Sequence, residues 1–177
     1  MKTISIFPRA QPLQTTLAIV LFIGMSSMIF AALGFQYIVG FVPCKLCLME
    51  RTPYYIGAPL MLITAYLSAI HFADIYVRKL FLAILALMTY GFILSLYHVG
   101  TEWKFWKGPA ACSFPAIFIL KNAADLLDSL NMFRPISCSE APGYFLGLSI
   151  GGWNAILSLV YAAIAFFAAR TPGKIYH

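Results

Sequence analysis

The sequence predicts an all-α protein, a four-helix transmembrane bundle with a short amphipathic helix in its second outer loop. Three observations carry this. The chain of 177 residues is 62% hydrophobic and 10% charged, with a mean hydropathy of +0.85, and so has too little polar surface to coat a soluble globule. Its charges are so sparse that the gaps between them mark out four apolar stretches long enough to cross about 30 Å of hydrocarbon. The one long interval outside these stretches, Glu102 to Glu140, holds apolar residues at helical spacing.

The first span follows Lys2 and Arg9, and Leu13 to Leu33 supplies it. Its apolar run exceeds the roughly 7 to 15 residues of a signal-peptide core, and Phe30-Ala31-Ala32 makes a poor cleavage site, so we read an anchor. No charge falls between Arg51 and Asp74, which sets the second span. Pro53 sits near the start of that helix, where proline is tolerated, while Pro59 frees the carbonyl of Tyr55 and is expected to bend it. The third span lies between Lys79 and Glu102, and the fourth within Ala141 to Ala169, closed by Arg170 and Thr171-Pro172-Gly173. As one integral membrane domain over 1–177, the spans run about 13–33, 53–73, 80–101 and 144–169, with outer loops about 34–52 and 102–143. In the second loop Leu120, Ala123, Ala124, Leu127 and Leu130 share one helical face and Lys121, Asp125 and Asp128 the other. That pattern fits a helix lying in the membrane interface, or one packed against the loop itself. Trp103, Phe105 and Trp106 at the end of the third span read as an interfacial aromatic belt.

Four spans put both termini on one side and both large loops on the other. Lys2, Arg9, Arg78, Lys79, Arg170 and Lys174 fall on the terminal side, and Lys45, Arg51, Lys104, Lys107, Lys121 and Arg134 on the loop side. The count is even, but the terminal side packs its charges into short segments flush with the spans, which places the termini in the cytoplasm. The formal net charge of +6 does not mark a nucleic-acid binder, because the basic residues form no run.

All four cysteines fall in the outer loops: Cys44 and Cys47 in the first, Cys112 and Cys138 in the second. A four-cysteine zinc site normally shows two close pairs, and Cys112 to Cys138 is not one. Purely structural disulfides are the stronger alternative, but a bond across the two residues between Cys44 and Cys47 constrains little chain entropy. It is better suited to reversible chemistry. Cys44 and Cys47 stand just before or at the start of the second helix, whose free amide groups favour a thiolate, and Arg51 one turn on adds a positive charge. Alone, Arg51 reads better as an interfacial anchor that snorkels to the headgroups. The two pairs suggest a relay in which a soluble dithiol reduces the Cys112–Cys138 bond, exchange moves the electrons to Cys44 and Cys47, and an acceptor in the lipid takes them.

With Phe35-Gln36, Pro43-Cys44-Lys45-Leu46-Cys47, Glu50-Arg51, Tyr97-His98, Gly108-Pro109 ahead of Cys112, Cys138-Ser139-Glu140, Phe145-Leu146-Gly147-Leu148 and Trp153, the chain resembles the disulfide bond formation protein B (DsbB) family over essentially its whole length. The resemblance implies a protein-dithiol:quinone oxidoreductase of the bacterial cell inner membrane, multi-pass, that reoxidises a periplasmic DsbA-like thiol oxidoreductase and reduces ubiquinone or menaquinone. It implies that Cys112 is attacked by the partner's thiol, that Cys138 pairs transiently with Cys44, and that the Cys47 thiolate contacts the quinone. Arg51, with Glu50 beside it, would support that thiolate and the quinone, and His98 lies near the family position at the quinone. His98 reads equally as an interfacial histidine satisfied by water. No resident metal is implied. Lys45 adds a positive charge within the dithiol, which should lower its thiol pKa values. The rivals are a vitamin K epoxide reductase-like enzyme, where a Cys-x-x-Cys is expected in a late span, and a membrane scaffold or metal-binding protein with structural disulfides.

Overall fold

In a computed structural model of the chain, the structure describes residues 12–40, 43–70, 72–108 and 143–171. Four helices dominate it: α1 (Pro12–Tyr37), α2 (Lys45–Ala69), α3 (Asp74–Glu102) and α4 (Ile150–Arg170). The expected interfacial helix around 115–133, Cys112 and Cys138 lie outside the described residues.

Helices α1 and α3 outrun the charge-defined spans. The 26 residues of α1 and 29 of α3 extend about 39 and 44 Å at 1.5 Å per residue. Helix α2 begins at Lys45 rather than near 53, so Cys47, Glu50 and Arg51 stand on the helix and not in a loop. The reason is local: charges mark where hydrocarbon ends, whereas the helix starts where a cap satisfies its first amides. Cys44 supplies that cap, its extended backbone letting Sγ accept from the Cys47 N–H at 3.2 Å. The helix then runs unbroken through Pro53 and Pro59. Helices α1, α3 and α4 are long and apolar enough to cross a membrane; α2, at 25 residues, is of comparable length.

Before α4 the predicted fourth span is not yet helical. Tyr144–Phe145 (β1) pairs antiparallel with Leu148–Ser149 (β2), and Leu146 and Gly147 turn between them with φ of +52 and +80. Two successive left-handed residues make the tight hairpin turn that glycine at the second position favours. Ser149 then caps α4, its Oγ accepting from the Gly152 N–H at 3.1 Å.

Packing is most extensive between α3 and α4 and between α1 and α2. Leu21, Met25, Met61, Phe81, Ile84 and Met88 are fully enclosed at the centre of the bundle, while rows such as Ile19, Ile23, Ile63, Ile93 and Leu159 face outward. In lipid the outward rows lose nothing by exposure, and close fit between helices carries the association. Small residues permit that fit. A Cβ on Gly91 of α3 would stand 3.5 Å from both Pro53 Cγ and Ser158 Oγ, so three helices converge there. Gly91→Ala should therefore melt in detergent like the wild type, whereas Gly91→Leu should lose on the order of 2 kcal/mol by wedging α3 away; equal melting of both variants contradicts this packing.

Polar contacts tie the end of the bundle away from the cysteines. Gln14 Nε2 donates to the Thr171 carbonyl at 3.1 Å, Arg78 Nε to the Ala169 carbonyl at 2.9 Å, and the Thr15 and Ser68 hydroxyls bond at 2.9 Å. The first two satisfy carbonyls at the C-terminal end of α4, which lipid cannot, and the third ties α1 to α2. At the opposite end the α1 and α3 C-termini meet the α2 and α4 N-termini.

Candidate active site

Five of the sequence-selected residues, Cys44, Cys47, Glu50, Arg51 and His98, gather at this opposite end. The Cys44 and Cys47 Sγ atoms lie 2.8 Å apart as free thiols, near enough for a bond to form with a small rotation of either side chain. His98 comes from α3, is 2% exposed, and sets Nε2 3.9 Å from Cys44 Sγ and Nδ1 2.8 Å from Glu50 Oε1. It is therefore not an interfacial histidine satisfied by water. The carboxylate at Nδ1 orients the ring so that Nε2 faces the sulfur.

Glu50 is itself held from α4. Asn154 Nδ2 donates to Glu50 Oε2 at 3.3 Å and to Ser95 Oγ at 2.7 Å, and its Oδ1 accepts from Tyr54 OH at 2.6 Å. The Tyr54 and Ser158 hydroxyls bond at 2.8 Å. A second carboxylate, Glu102, lies on the other side of the ring, Oε1 3.9 Å from His98 Nε2 with its side chain 2% exposed. The sequence reading missed Tyr54, Ser95, Glu102, Asn154 and Ser158. Their signal was spacing: Glu50 and Tyr54, Ser95, His98 and Glu102, and Asn154 and Ser158 each recur at helical intervals inside otherwise apolar segments.

Arg51 turns away from the sulfurs. Its Nη1 donates to Gln36 Oε1 at 2.7 Å and its Nη2 to the Ala32 carbonyl at 3.4 Å, so it clamps α2 to the end of α1. Two of its five N–H groups are used in this way.

The thiolate is favoured at Cys44. The hydrogen bond shared with the Cys47 thiol outweighs the upward push of burial, and His98 and the Cys47 amide pull the same way, holding Cys44 at about 4 against an ordinary 9.0. Cys47 is pushed up, first by that shared bond and then by burial. A depressed thiol keeps its negative charge as pH falls to that value. With Cys112 and Cys138 replaced by Ser, iodoacetamide labelling of Cys44 should reach half its limiting rate near pH 4 and be at its limit by about pH 6. His98→Ala should move the midpoint upward, and superimposable profiles for the two proteins contradict the arrangement.

A dithiol capped by a helix N-terminus and backed by a histidine–carboxylate pair is equipped for thiol–disulfide exchange. Comparison with known proteins agrees. The family model described as "Disulfide bond formation protein DsbB" matches residues 14–168. The chain belongs to the DsbB family. A "Disulfide bond formation protein B" of Saccharophagus degradans is 31% identical over 151 residues, 84% of this chain and 88% of that protein. One of the same name from Aromatoleum aromaticum is 28% identical over 173 residues, 86% of this chain and 93% of that protein. An "Uncharacterized protein RP370" of Rickettsia prowazekii is 29% identical over 142 residues, 77% and 78% of the two chains. Membership in DsbB, with the apolar helices, makes this a multi-pass membrane protein of the disulfide-generating oxidoreductase class. It separates the chain from the vitamin K epoxide reductase type.

Proposed function

We propose that the protein is a protein-dithiol:quinone oxidoreductase of the bacterial inner membrane, with cytoplasmic termini, that reoxidises a periplasmic DsbA-like partner. The observation that carries this is the Cys44–Cys47 pair, poised at 2.8 Å with a thiolate favoured at one sulfur, at an end of a bundle whose outer faces are apolar. In the proposed cycle a thiolate of the partner attacks Cys112, breaks its bond to Cys138 and leaves with its own disulfide, so two electrons and two protons enter the chain. The Cys138 thiolate then attacks Cys44 of the oxidised Cys44–Cys47 pair, breaking that bond and releasing the Cys47 thiolate; Cys112 next attacks Cys138, re-forms the Cys112–Cys138 bond and releases Cys44, so both electrons rest on Cys44 and Cys47 until the quinone takes them.

The residues present fit a quinone. Leu48 and Met49 offer exposed apolar surface beside Cys47, and Arg51 has N–H groups beyond those used on α1 to hold an oxygen that gains charge. Ubiquinone or menaquinone, when bound, supplies a two-electron, two-proton acceptor. The protein's part is to deliver both electrons from one sulfur pair. Engaging Cys44 in a bond to Cys138 removes its thiol from the shared hydrogen bond and leaves Cys47 as the sulfur to carry the negative charge. The thiolate role thus passes to the residue that the family assigns to the quinone. His98 takes up the thiol proton at Nε2, its charge offset by Glu50.

The test is anaerobic mixing of the purified protein with a reduced DsbA-like protein and a quinone, following quinone absorbance and partner thiols. One partner disulfide should form per quinone consumed. Repeated turnover of the partner without quinone, beyond the disulfides the protein itself carries, contradicts the proposal.

A further inference from the structure

We propose that the reduced Cys44–Cys47 pair, His98 Nε2 and the Glu102 carboxylate form a four-donor site for a soft divalent metal ion, with zinc as its probe, and that occupying it withdraws both thiols from exchange. This goes beyond the quinone reading and rests only on the reduced pair and its neighbours.

Four observations carry it. First, Cys44 Sγ, Cys47 Sγ and His98 Nε2 all lie within 4.8 Å of one another. Second, Glu102 is a buried carboxylate with no hydrogen-bond partner at either oxygen among the described residues, and its Oε1 is 3.9 Å from the same Nε2. A buried carboxylate without a donor is costly, and a cation at this point satisfies it. Third, the other ring nitrogen of His98 is bound to Glu50 at 2.8 Å, and Glu50 in turn by Asn154 at 3.3 Å. Metal-binding histidines characteristically hold a carboxylate in this way, which fixes the free nitrogen toward the ion. Fourth, two sulfurs, an imidazole and a carboxylate suit zinc and its soft neighbours rather than magnesium or calcium.

Cys44, Cys47 and His98 already cluster, whereas Glu102 stands outside that cluster beside Nε2 and has to swing its carboxylate toward the sulfurs to complete the site. Zinc–sulfur bonds of about 2.3 Å at a tetrahedral angle hold two sulfurs about 3.8 Å apart, so the pair opens by about 1 Å from its present 2.8 Å. The spacing argument against a four-cysteine site does not bear on this donor set, because two of its members come from α3. Binding displaces the thiol protons and moves no electrons, so the ion competes with the disulfide for the same sulfurs.

The test uses the full chain with Cys112→Ser and Cys138→Ser, purified in detergent, reduced and stripped of metal. Titrated with Zn²⁺ against a chromophoric chelator, it should take up one ion per chain. Co²⁺ in its place should give sulfur-to-metal charge-transfer absorption and the intense visible bands of a tetrahedral site. Adding Cys44→Ser should abolish stoichiometric uptake, and Glu102→Gln should weaken it about tenfold or more. Prior oxidation of the pair should abolish it in a chain that carries no further substitution. Absence of stoichiometric uptake, equal uptake after oxidation, or a cobalt spectrum without thiolate absorption overturns the site. One bound zinc in a protein that fails to reduce quinone supports the metal site and counts against the quinone reading; the reverse result overturns the metal site alone.

Discussion

Under the proposed relay, Cys47→Ser should abolish quinone-dependent oxidation of the partner, whereas Cys112→Ser should remove only the supply of electrons and leave Cys44 and Cys47 able to react with quinone. The asymmetry follows from a relay in which the pair at the head of α2 is the sole route to the lipid. With Cys47 replaced, Cys44 has no neighbouring thiol to close a bond with, and the hydrogen bond that chiefly lowers its pKa weakens. A hydroxyl cannot take the place of the second sulfur, so turnover falls to background. With Cys112 replaced, a chemically reduced protein should still consume one quinone per chain while the partner stays reduced. Reoxidation of the partner by Cys112→Ser at the wild-type rate contradicts the relay. So does residual turnover of Cys47→Ser within about tenfold of wild type.

Asn154→Leu should destabilise the bundle more than any other single change of similar size near the site. The amide satisfies three groups at once: Glu50 Oε2, Ser95 Oγ and the Tyr54 hydroxyl. Leucine fills the volume but leaves buried polar atoms without partners, at about 1–3 kcal/mol for each such group and more for a charged one. Because the network is shared the terms do not add, and a loss on the order of 3 kcal/mol is expected. Tyr54→Phe removes one hydroxyl and leaves Asn154 its bonds to Glu50 and Ser95, so it should cost about 1 kcal/mol. Thermal unfolding in detergent compares the two. Asn154→Leu should also change the pH profile of Cys44 labelling, because Glu50 then holds His98 less firmly. An Asn154→Leu protein that melts and labels like the wild type rules out the network as drawn.

How much of this was legible in the chain depends on what each residue type signals. The apolar gaps between charges located four helical regions because lipid tolerates so few charged residues. They mark the second span from about residue 53 and say nothing of the helical turns before it; the start of α2 at Lys45 agrees instead with the reading that set the cysteines just before or at the helix start. They also absorbed the hairpin at Leu146 and Gly147 into the fourth span, because its residues are as apolar as the helix that follows. The dithiol was legible from its spacing, and Glu50 and His98 from family motifs. Arg51 was expected beside the sulfurs, yet its side chain reaches toward α1; its length lets it serve either neighbour, and only three-dimensional packing decides. Asn154, Ser95 and Glu102 carry no motif. They become visible only when the polar residues of the spans are placed on helical faces and those faces turned toward one another.

The central claim is that the Cys44–Cys47 pair is itself the couple a lipid-soluble oxidant empties. The most direct measurement takes the Cys112→Ser, Cys138→Ser protein, reduced and freed of reductant, and mixes it anaerobically with a quinone while counting thiols and following quinone absorbance. One quinone should disappear per chain as two thiols are lost. Persistence of both thiols in excess quinone would contradict it.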